Sequence, residues 1–198
     1  MAFLRLVLRL TLFGLLGAVW LLAGTYLYLS PNLPDVDTLR DVKLQTPMLV
    51  YTREGELIGQ FGEQKRSPLP FDELPDQFVK ALLAAEDDNY FTHRGIDLMG
   101  LMRAVYELVM TGEKGSGGST LTMQVARNYF LTHERTFIRK FNEILLALEI
   151  ERNLSKEEIL ELYCNRIFLG HRAYGFQAAS QVYYGKGIGE LSLAQHAM

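Results

Sequence analysis

The hydrophobic positions of this chain form one long unbroken run near its start, followed by shorter stretches with helical spacing. Leu10 to Leu29 contains 20 residues without a charge. At ~1.5 Å of rise per residue, a helix of this length spans roughly the 30 Å hydrocarbon core of a bilayer. A cleaved signal peptide is the alternative, but the run is too long and no clear small-x-small cleavage site closes it. We therefore predict an uncleaved transmembrane anchor.

The charges beside the anchor predict its direction. Arg5 and Arg9 precede it with no acid before them, so the positive-inside rule places residues 1–9 in the cytoplasm and everything after Ser30 on the far side. The predicted organisation is a cytoplasmic tail (1–9), the anchor (10–29), a Pro-rich connector (30–46) and one domain with a single core (47–198).

The pattern within that domain predicts a mainly α fold behind a short β-hairpin. Two apolar runs within Met48 to Phe61 flank residues 53–56 and predict the hairpin. From Pro75 onward nearly every segment has helical spacing, with a glycine-rich, mobile loop from Thr111 to Gly118. After a first helix that ends near Glu86, the predicted helices are Ile96 to Met110, Ser119 or Thr120 to Leu131, Arg135 to Arg152, one that starts with a capping box at Ser155 to Glu158, and Gly175 to Tyr184.

Two further predictions come from the net charge and from the cysteine count. A net charge of -3 gives no overall attraction to nucleic acid, and we predict no nucleic-acid partner. Cys164 is the only cysteine, which excludes an intrachain disulfide.

An acid interrupts the apolar face of the first helix. Phe78, Val79, Leu82 and Leu83 recur at helical spacing, and Glu86 continues their stripe. We therefore expect Glu86 in the apolar interior, where a carboxylate is a candidate general acid or base. The alternative is a helix-end acid that bonds nearby backbone.

The third predicted helix carries a mostly polar stripe. Its members lie at i, i+4, i+7, i+8 and i+11: Thr120, Gln124, Arg127, Asn128 and Leu131. The stripe is either the solvated side of the helix or a binding face. The glycine-rich approach favours binding, because a capped helix N-terminus presents free amide donors that suit phosphate or carboxylate.

A locally basic zone lies inside this mildly acidic protein. Residues 127–140 contain four cations, Arg127, Arg135, Arg139 and Lys140, but only one acid. Glu143 follows on the same helix face as Arg139 and Lys140. A surface ion-pair cluster is the alternative; an anionic ligand explains the excess of cations. Two carboxylates on different helices, with cations and amides between them, suit chemistry at an anomeric carbon with a phosphate leaving group.

These segments, taken in order, resemble the motif set of the peptidoglycan glycosyltransferases, which form the N-terminal domain of class A penicillin-binding proteins. The segments are EDDNYFTHRG (86–95), GGSTLTMQVARN (117–128), RKFNE (139–143), ILELYCN (159–165), YGFQAASQVYYGK (174–186) and LSLAQHAM (191–198). No SxxK occurs, so the transpeptidase chemistry of the bifunctional type is not expected from these residues.

The resemblance implies a lysozyme-like helical head with a membrane-associated jaw, which we expect at Met99 to Thr111. It implies polymerisation of lipid II at the bacterial inner membrane, with the single-pass chain's catalytic domain on the periplasmic side. The 4-hydroxyl of the incoming N-acetylglucosamine attacks C1 of the lipid-linked glycan, undecaprenyl diphosphate leaves, and the configuration inverts. Implied partners are lipid II, the growing glycan, and cell-wall synthesis proteins and activators.

The resemblance also implies roles for individual residues. Glu86 matches the general base and Glu143 the second acid, which organises the diphosphate or a metal. The matched substrate-binding positions are Asp87, His93, Ser119, Thr120, Gln124, Arg127, Asn128, Arg139 and Lys140. No organic cofactor is implied; a divalent cation, Mg²⁺ or Mn²⁺, at Asp87 or Glu143 is left open.

Three residues depart from the family pattern, and none of these changes removes a proposed catalytic group. Tyr90 stands where Phe is frequent, Met123 where the first of two glutamines is common, and Arg127 where Lys is frequent.

Two other functions stay open beside the polymerase. One is a lysozyme-like lytic enzyme, which needs neither the basic zone nor an anchor, and the other is an inactive membrane-tethered scaffold, which needs neither acid.

Overall fold

The computed structural model describes residues 2–40, 42, 47–62, 64–112, 118–131 and 136–198. They fall into two compact units, the first ending at Asp35 and the second beginning at Val36. The first unit is helix α1, Ala2–Leu29, followed by a short 3-10 turn at Ser30–Asn32. Its residues Arg5–Leu29 are long and apolar enough to cross a membrane, and the most apolar 18-residue window of that span is not buried in protein.

The second unit is mostly helical, as the sequence predicts. Its helices are α2 (Asp76–Glu86), α3 (Leu98–Thr111), α4 (Leu121–Phe130), α5 (Phe137–Asn153), α6 (Lys156–Arg166), α7 (Phe176–Tyr184) and α8 (Leu193–His196). Most of the predicted loop from Thr111 to Gly118, namely residues 113–117, and the predicted helix start at Arg135 lie outside the described residues.

Two small sheets accompany these helices. Strands β1 (Met48–Tyr51) and β2 (Leu57–Phe61) pair antiparallel, which confirms the predicted hairpin. Strands β3 (Lys65–Arg66) and β4 (Ala173–Tyr174) pair in parallel. The second pairing was not predicted, because two-residue strands leave no periodic signal in the sequence.

The core is built around α4, which packs against α5 and α6. The fully buried apolar side chains of these three helices include Leu121, Met123, Val125, Ala126, Leu146, Ala147, Ile150, Ile159, Leu160 and Tyr163. Val36 and Leu39, which lie within the predicted connector, are also buried in the second unit.

Side-chain caps fix where the helices begin. Thr120 accepts a hydrogen bond from the Met123 amide at the start of α4. The predicted capping box of α6 is confirmed: the Ser155 amide donates to Glu158 Oε2 (2.7 Å) and the Glu158 amide donates to Ser155 Oγ (3.2 Å). These caps satisfy amides that a helix leaves unpaired.

Helix α3 does not take part in this core, because none of its 14 residues is buried. All but one of its large apolar side chains, the half-buried Leu101, are exposed: Leu98, Met99, Met102, Val105, Tyr106, Leu108, Val109 and Met110. The prediction that this stretch carries more apolar surface than one helix face can bury is confirmed, and ordinary core burial, the alternative, is wrong.

Candidate active site

A polar cleft of about 270 Å³ lies where α2 ends and where α3 and α4 begin. It is lined by Ala84, Ala85, Glu86, Asp87, Asp88, Asn89, Asp97, Gly100, Arg103, Gly118, Ser119 and Thr120. A larger groove of about 460 Å³ beside α7 and α8 is mostly apolar and contains no acid. The chemistry predicted from the sequence therefore belongs to the smaller cleft.

Glu86 is exposed at this cleft, so the expectation that it lies in the apolar interior is wrong. Phe78 and Leu82 of the same stripe are buried, but α2 ends at Glu86, one turn beyond the core. Its Oε2 accepts a hydrogen bond from Gln124 Nε2 (2.9 Å), and Arg127 Nη2 donates to Gln124 Oε1 (3.4 Å). The polar stripe of α4 therefore orients the Glu86 carboxylate.

Asp87 is the buried acid of this segment. Its Oδ2 accepts the Leu121 amide at the start of α4 (2.9 Å), and His93 Nε2 lies 3.0 and 3.1 Å from its two oxygens. The side chains of Asp87 and His93 are 4% and 7% exposed. This pair joins the end of α2 to the start of α4.

Thr120 is also turned inward. It caps α4, and its hydroxyl donates to the Gly95 carbonyl (2.6 Å). Gly95 has φ +86°, and a methyl group there would lie 2.7 Å from the Ala147 carbonyl oxygen of α5. Only glycine fits this position, so Gly95 lets the loop lie directly against α5.

Glu143 lies at the centre of the predicted basic zone and is 1% exposed. It pairs with Arg139 and, at 3.2 Å, with Lys140 Nζ. Lys140 also donates to Ser119 Oγ (2.5 Å), which links the pair of cations to the cleft. The interpretation as a surface ion-pair cluster is therefore wrong: α5 packs on α4, the Glu143 carboxylate is buried, and Arg139 and Lys140 are themselves only partly exposed.

The structure thus divides the predicted site residues into three sets. Glu86, Gln124 and Arg127 form one hydrogen-bonded row, and Ser119, Arg139, Lys140 and Glu143 form a second cluster. Asp87, His93 and Thr120 form a third set, whose side chains turn inward to internal partners. Asn128 is half-buried on α4, and its carbonyl accepts from Arg166 Nε (3.3 Å).

Sequence reasoning missed charged residues that line the cleft, among them Arg103 and Asp97. Arg103 is an exposed cation on α3, and its signal was a single basic residue inside a mostly apolar helix. Asp97 caps α3 by accepting the Met99 amide (3.0 Å). A hydrogen bond from the Gly100 backbone is the main cause that lowers the pKa of Asp97.

The carboxylates suggested as metal ligands do not offer a ready site. Both oxygens of Asp87 and both oxygens of Glu143 already have hydrogen-bond or ion-pair partners. Among the described residues, no group of three His, Cys, Asp or Glu side chains is arranged to hold an ion. We therefore derive no step through a divalent cation.

Comparison with known proteins gives consistent matches. The family model described as transglycosylase matches residues 54–198. Penicillin-binding protein 1A of Pseudomonas aeruginosa is 59% identical over 92% of this chain, and that of Escherichia coli is 50% identical over 88% of it. These matches cover 22% and 21% of the relatives, so the chain spans about a fifth of their length.

A crystal structure of penicillin-binding protein 1A from Haemophilus influenzae aligns with 78% of this chain and 14% of that chain, at 30% identity and a TM-score of 0.36. The sequence matches alone carry the assignment. The family predicted from the ordered motifs is confirmed: the chain belongs to the transglycosylase family.

Proposed function

We propose that this chain polymerises lipid II into peptidoglycan glycan strands. The observation that carries the proposal is the pairing, at one cleft, of the exposed Glu86 carboxylate with a cation cluster that reaches the cleft through Ser119. A sugar hydroxyl needs a proton acceptor, and a departing diphosphate needs positive charge. The cleft supplies both from separate helices.

In the proposed reaction, the 4-hydroxyl of one N-acetylglucosamine attacks C1 of the lipid-linked glycan while Glu86 takes its proton. The bond from C1 to the diphosphate oxygen breaks, undecaprenyl diphosphate leaves, and the configuration at C1 inverts. Lys140 and Arg139 offset the charge on the leaving group through charge-assisted hydrogen bonds. Glu143 acts as a positioning residue that fixes the two cations.

The test is incubation of the protein with labelled lipid II in detergent. We expect long β-linked glycan and free undecaprenyl diphosphate. Shortening of a preformed glycan without elongation would identify a lytic enzyme instead. No reaction with either substrate, under conditions where a known polymerase elongates, would leave a scaffold role.

We propose that the protein works at the inner membrane with its second unit on the periplasmic side, beside other cell-wall synthesis proteins. The unburied length of α1 and the exposed apolar face of α3 support two membrane contacts. A protein without residues 2–29 should still bind anionic and neutral lipid vesicles in flotation. If that protein stays monodisperse without detergent and ignores vesicles, α3 is not a membrane contact.

A further inference from the structure

Gly118 lies flush against the first turns of α3. A methyl group at Gly118 would lie 3.1 Å from the Ala104 Cβ, 3.1 Å from the Leu101 Cα and 3.3 Å from the Gly100 carbonyl oxygen. The φ of Gly118 is not in the left-handed region. Glycine is therefore needed here for the close approach of the two segments and not for its backbone conformation.

This contact bears on how α3 is held. No residue of α3 is buried, and the close approach of Gly118 falls on its first two turns, at Gly100, Leu101 and Ala104. Asp97 caps the helix there, and a methyl group at Gly100 would lie 2.7 Å from Asp97 Oδ2. Gly100 thus leaves space for the capping Asp97 side chain, and Gly118 together with the small Ala104 lets the segment before α4 approach the first turns of α3.

The same segment leads directly into the cation cluster. Ser119 follows Gly118 and accepts the hydrogen bond from Lys140 Nζ (2.5 Å). Thr120 comes next, caps α4 and donates to the Gly95 carbonyl. Thr120 is 2% exposed and fixed from two sides, so a displacement at Gly118 is transmitted mainly to Ser119.

We propose that Gly118 and Ala104 are positioning residues, and that the seating of α3 on Gly118 sets the contact between Ser119 and Lys140. The inference rests on the proposed function, because it assigns the diphosphate-handling cluster as the part that responds. It makes the placement of the exposed helix α3 a determinant of how the cleft receives the leaving group.

The first test is Gly118→Ala, assayed for lipid II polymerisation and for thermal stability. The methyl group forces a shift of a few tenths of an ångström, and we expect kcat/KM to fall about tenfold with a nearly unchanged Tm. Gly189→Ala is the matched control, because nothing lies within 4 Å of a methyl group there and its φ is not left-handed. Its activity should equal that of the unmodified protein.

The second test adds Ala104→Gly to Gly118→Ala. This removes one of the three close contacts from the α3 side, so the double variant should recover at least half of the lost activity on a logarithmic scale. Ala104→Val alone crowds the same contact without changing the loop and should reproduce the loss. If Gly118 instead touches substrate directly, Ala104→Val will be silent and Ala104→Gly will rescue nothing, which overturns the proposal.

Amide hydrogen exchange separates this inference from the proposed function. Gly118→Ala should speed exchange at Leu101 and Ala104, and the double variant should restore protection, whether or not the protein polymerises lipid II. Exchange unchanged in Gly118→Ala would reject the coupling. Should Gly118→Ala unfold, the folded Ala104→Val variant decides the same question by both readouts.

Discussion

The two acids proposed for the reaction lie in opposite environments. Glu86 is exposed at the end of α2 and has one described partner, the Gln124 amide. Glu143 is 1% exposed on the first turns of α5 and pairs with two cations. A carboxylate that must exchange a proton with substrate needs access, whereas one that holds cations in place needs enclosure.

The two acids are therefore expected to have different roles. Burying a paired carboxylate costs solvation that its partners must offset, so Glu143 and its cations depend on one another for stability. Glu86 has no such dependence, because water reaches it and its hydrogen bond comes from a neutral amide. Changes at Glu86 should therefore affect chemistry, and changes around Glu143 should affect folding as well.

The largest expected effect is at Glu86. Glu86→Gln keeps the volume of the side chain but cannot take the acceptor's proton, so polymerisation should fall by the ~10²–10⁴ typical of a lost general base. Measured Tm should barely change. Asp88→Asn, an exposed acid in the same cleft, is the control and should be nearly silent. A rate within a few-fold of normal for Glu86→Gln would remove Glu86 as the base.

The second effect lies in the cation cluster and is one of stability. Replacing Arg139 and Lys140 together with Gln leaves the Glu143 carboxylate buried without a partner, which should cost roughly 3 kcal/mol in the free energy of unfolding. An ion-pair cluster exposed on the surface would instead lose little stability on this change. Urea denaturation measures the difference.

Adding Glu143→Gln to that double variant sharpens the comparison. The triple variant removes the stranded charge, so most of the stability should return while polymerisation stays lost. Stability that is unaffected in the double variant would mean that Glu143 is not held by these cations.

A smaller effect is expected at Asp87, which resembles Glu143 in being buried. Asp87→Asn keeps one acceptor oxygen but places an NH₂ where His93 or the Leu121 amide donates, so we expect a loss of about 1–3 kcal/mol. Activity should fall because α4 is displaced, and the fall should be largest at temperatures near Tm. A variant as stable as the parent would argue that the Asp87–His93 pair does not join α2 to α4.

The smallest effect concerns a neutral group. Tyr90 is fully buried and donates its hydroxyl to the Lys156 carbonyl (2.7 Å), and its burial raises the pKa of the phenol. Tyr90→Phe, the residue frequent in the family, removes one hydrogen bond and should cost about 1 kcal/mol. Chemical denaturation should detect it at unchanged activity. A loss of stability as large as that of the Arg139 and Lys140 double variant would contradict the expectation that a neutral buried group contributes less than a charged one.

Much of this protein was predictable because it depends on short stretches of chain. The apolar run of α1, the hairpin from Met48 to Phe61 and the capping box at Ser155 follow from local spacing and side-chain chemistry. The ordered motifs identified the family. They also named site residues most of which lie, in the structure, at one cleft or next to it. The exposed face of α3 was also visible, because one helix cannot bury so many apolar residues on a single side.

Burial of the acids was decided by tertiary structure. Helical periodicity placed Glu86 on the apolar stripe of α2, but that stripe extends one turn beyond the core. Asp87 has φ −160° and ψ 76°, so it leaves the helix and no longer follows its period. Its carboxylate turns inward because the start of α4 docks there and offers an amide. Likewise, Glu143 is enclosed only once α5 lies on α4, a contact between segments that no local pattern encodes.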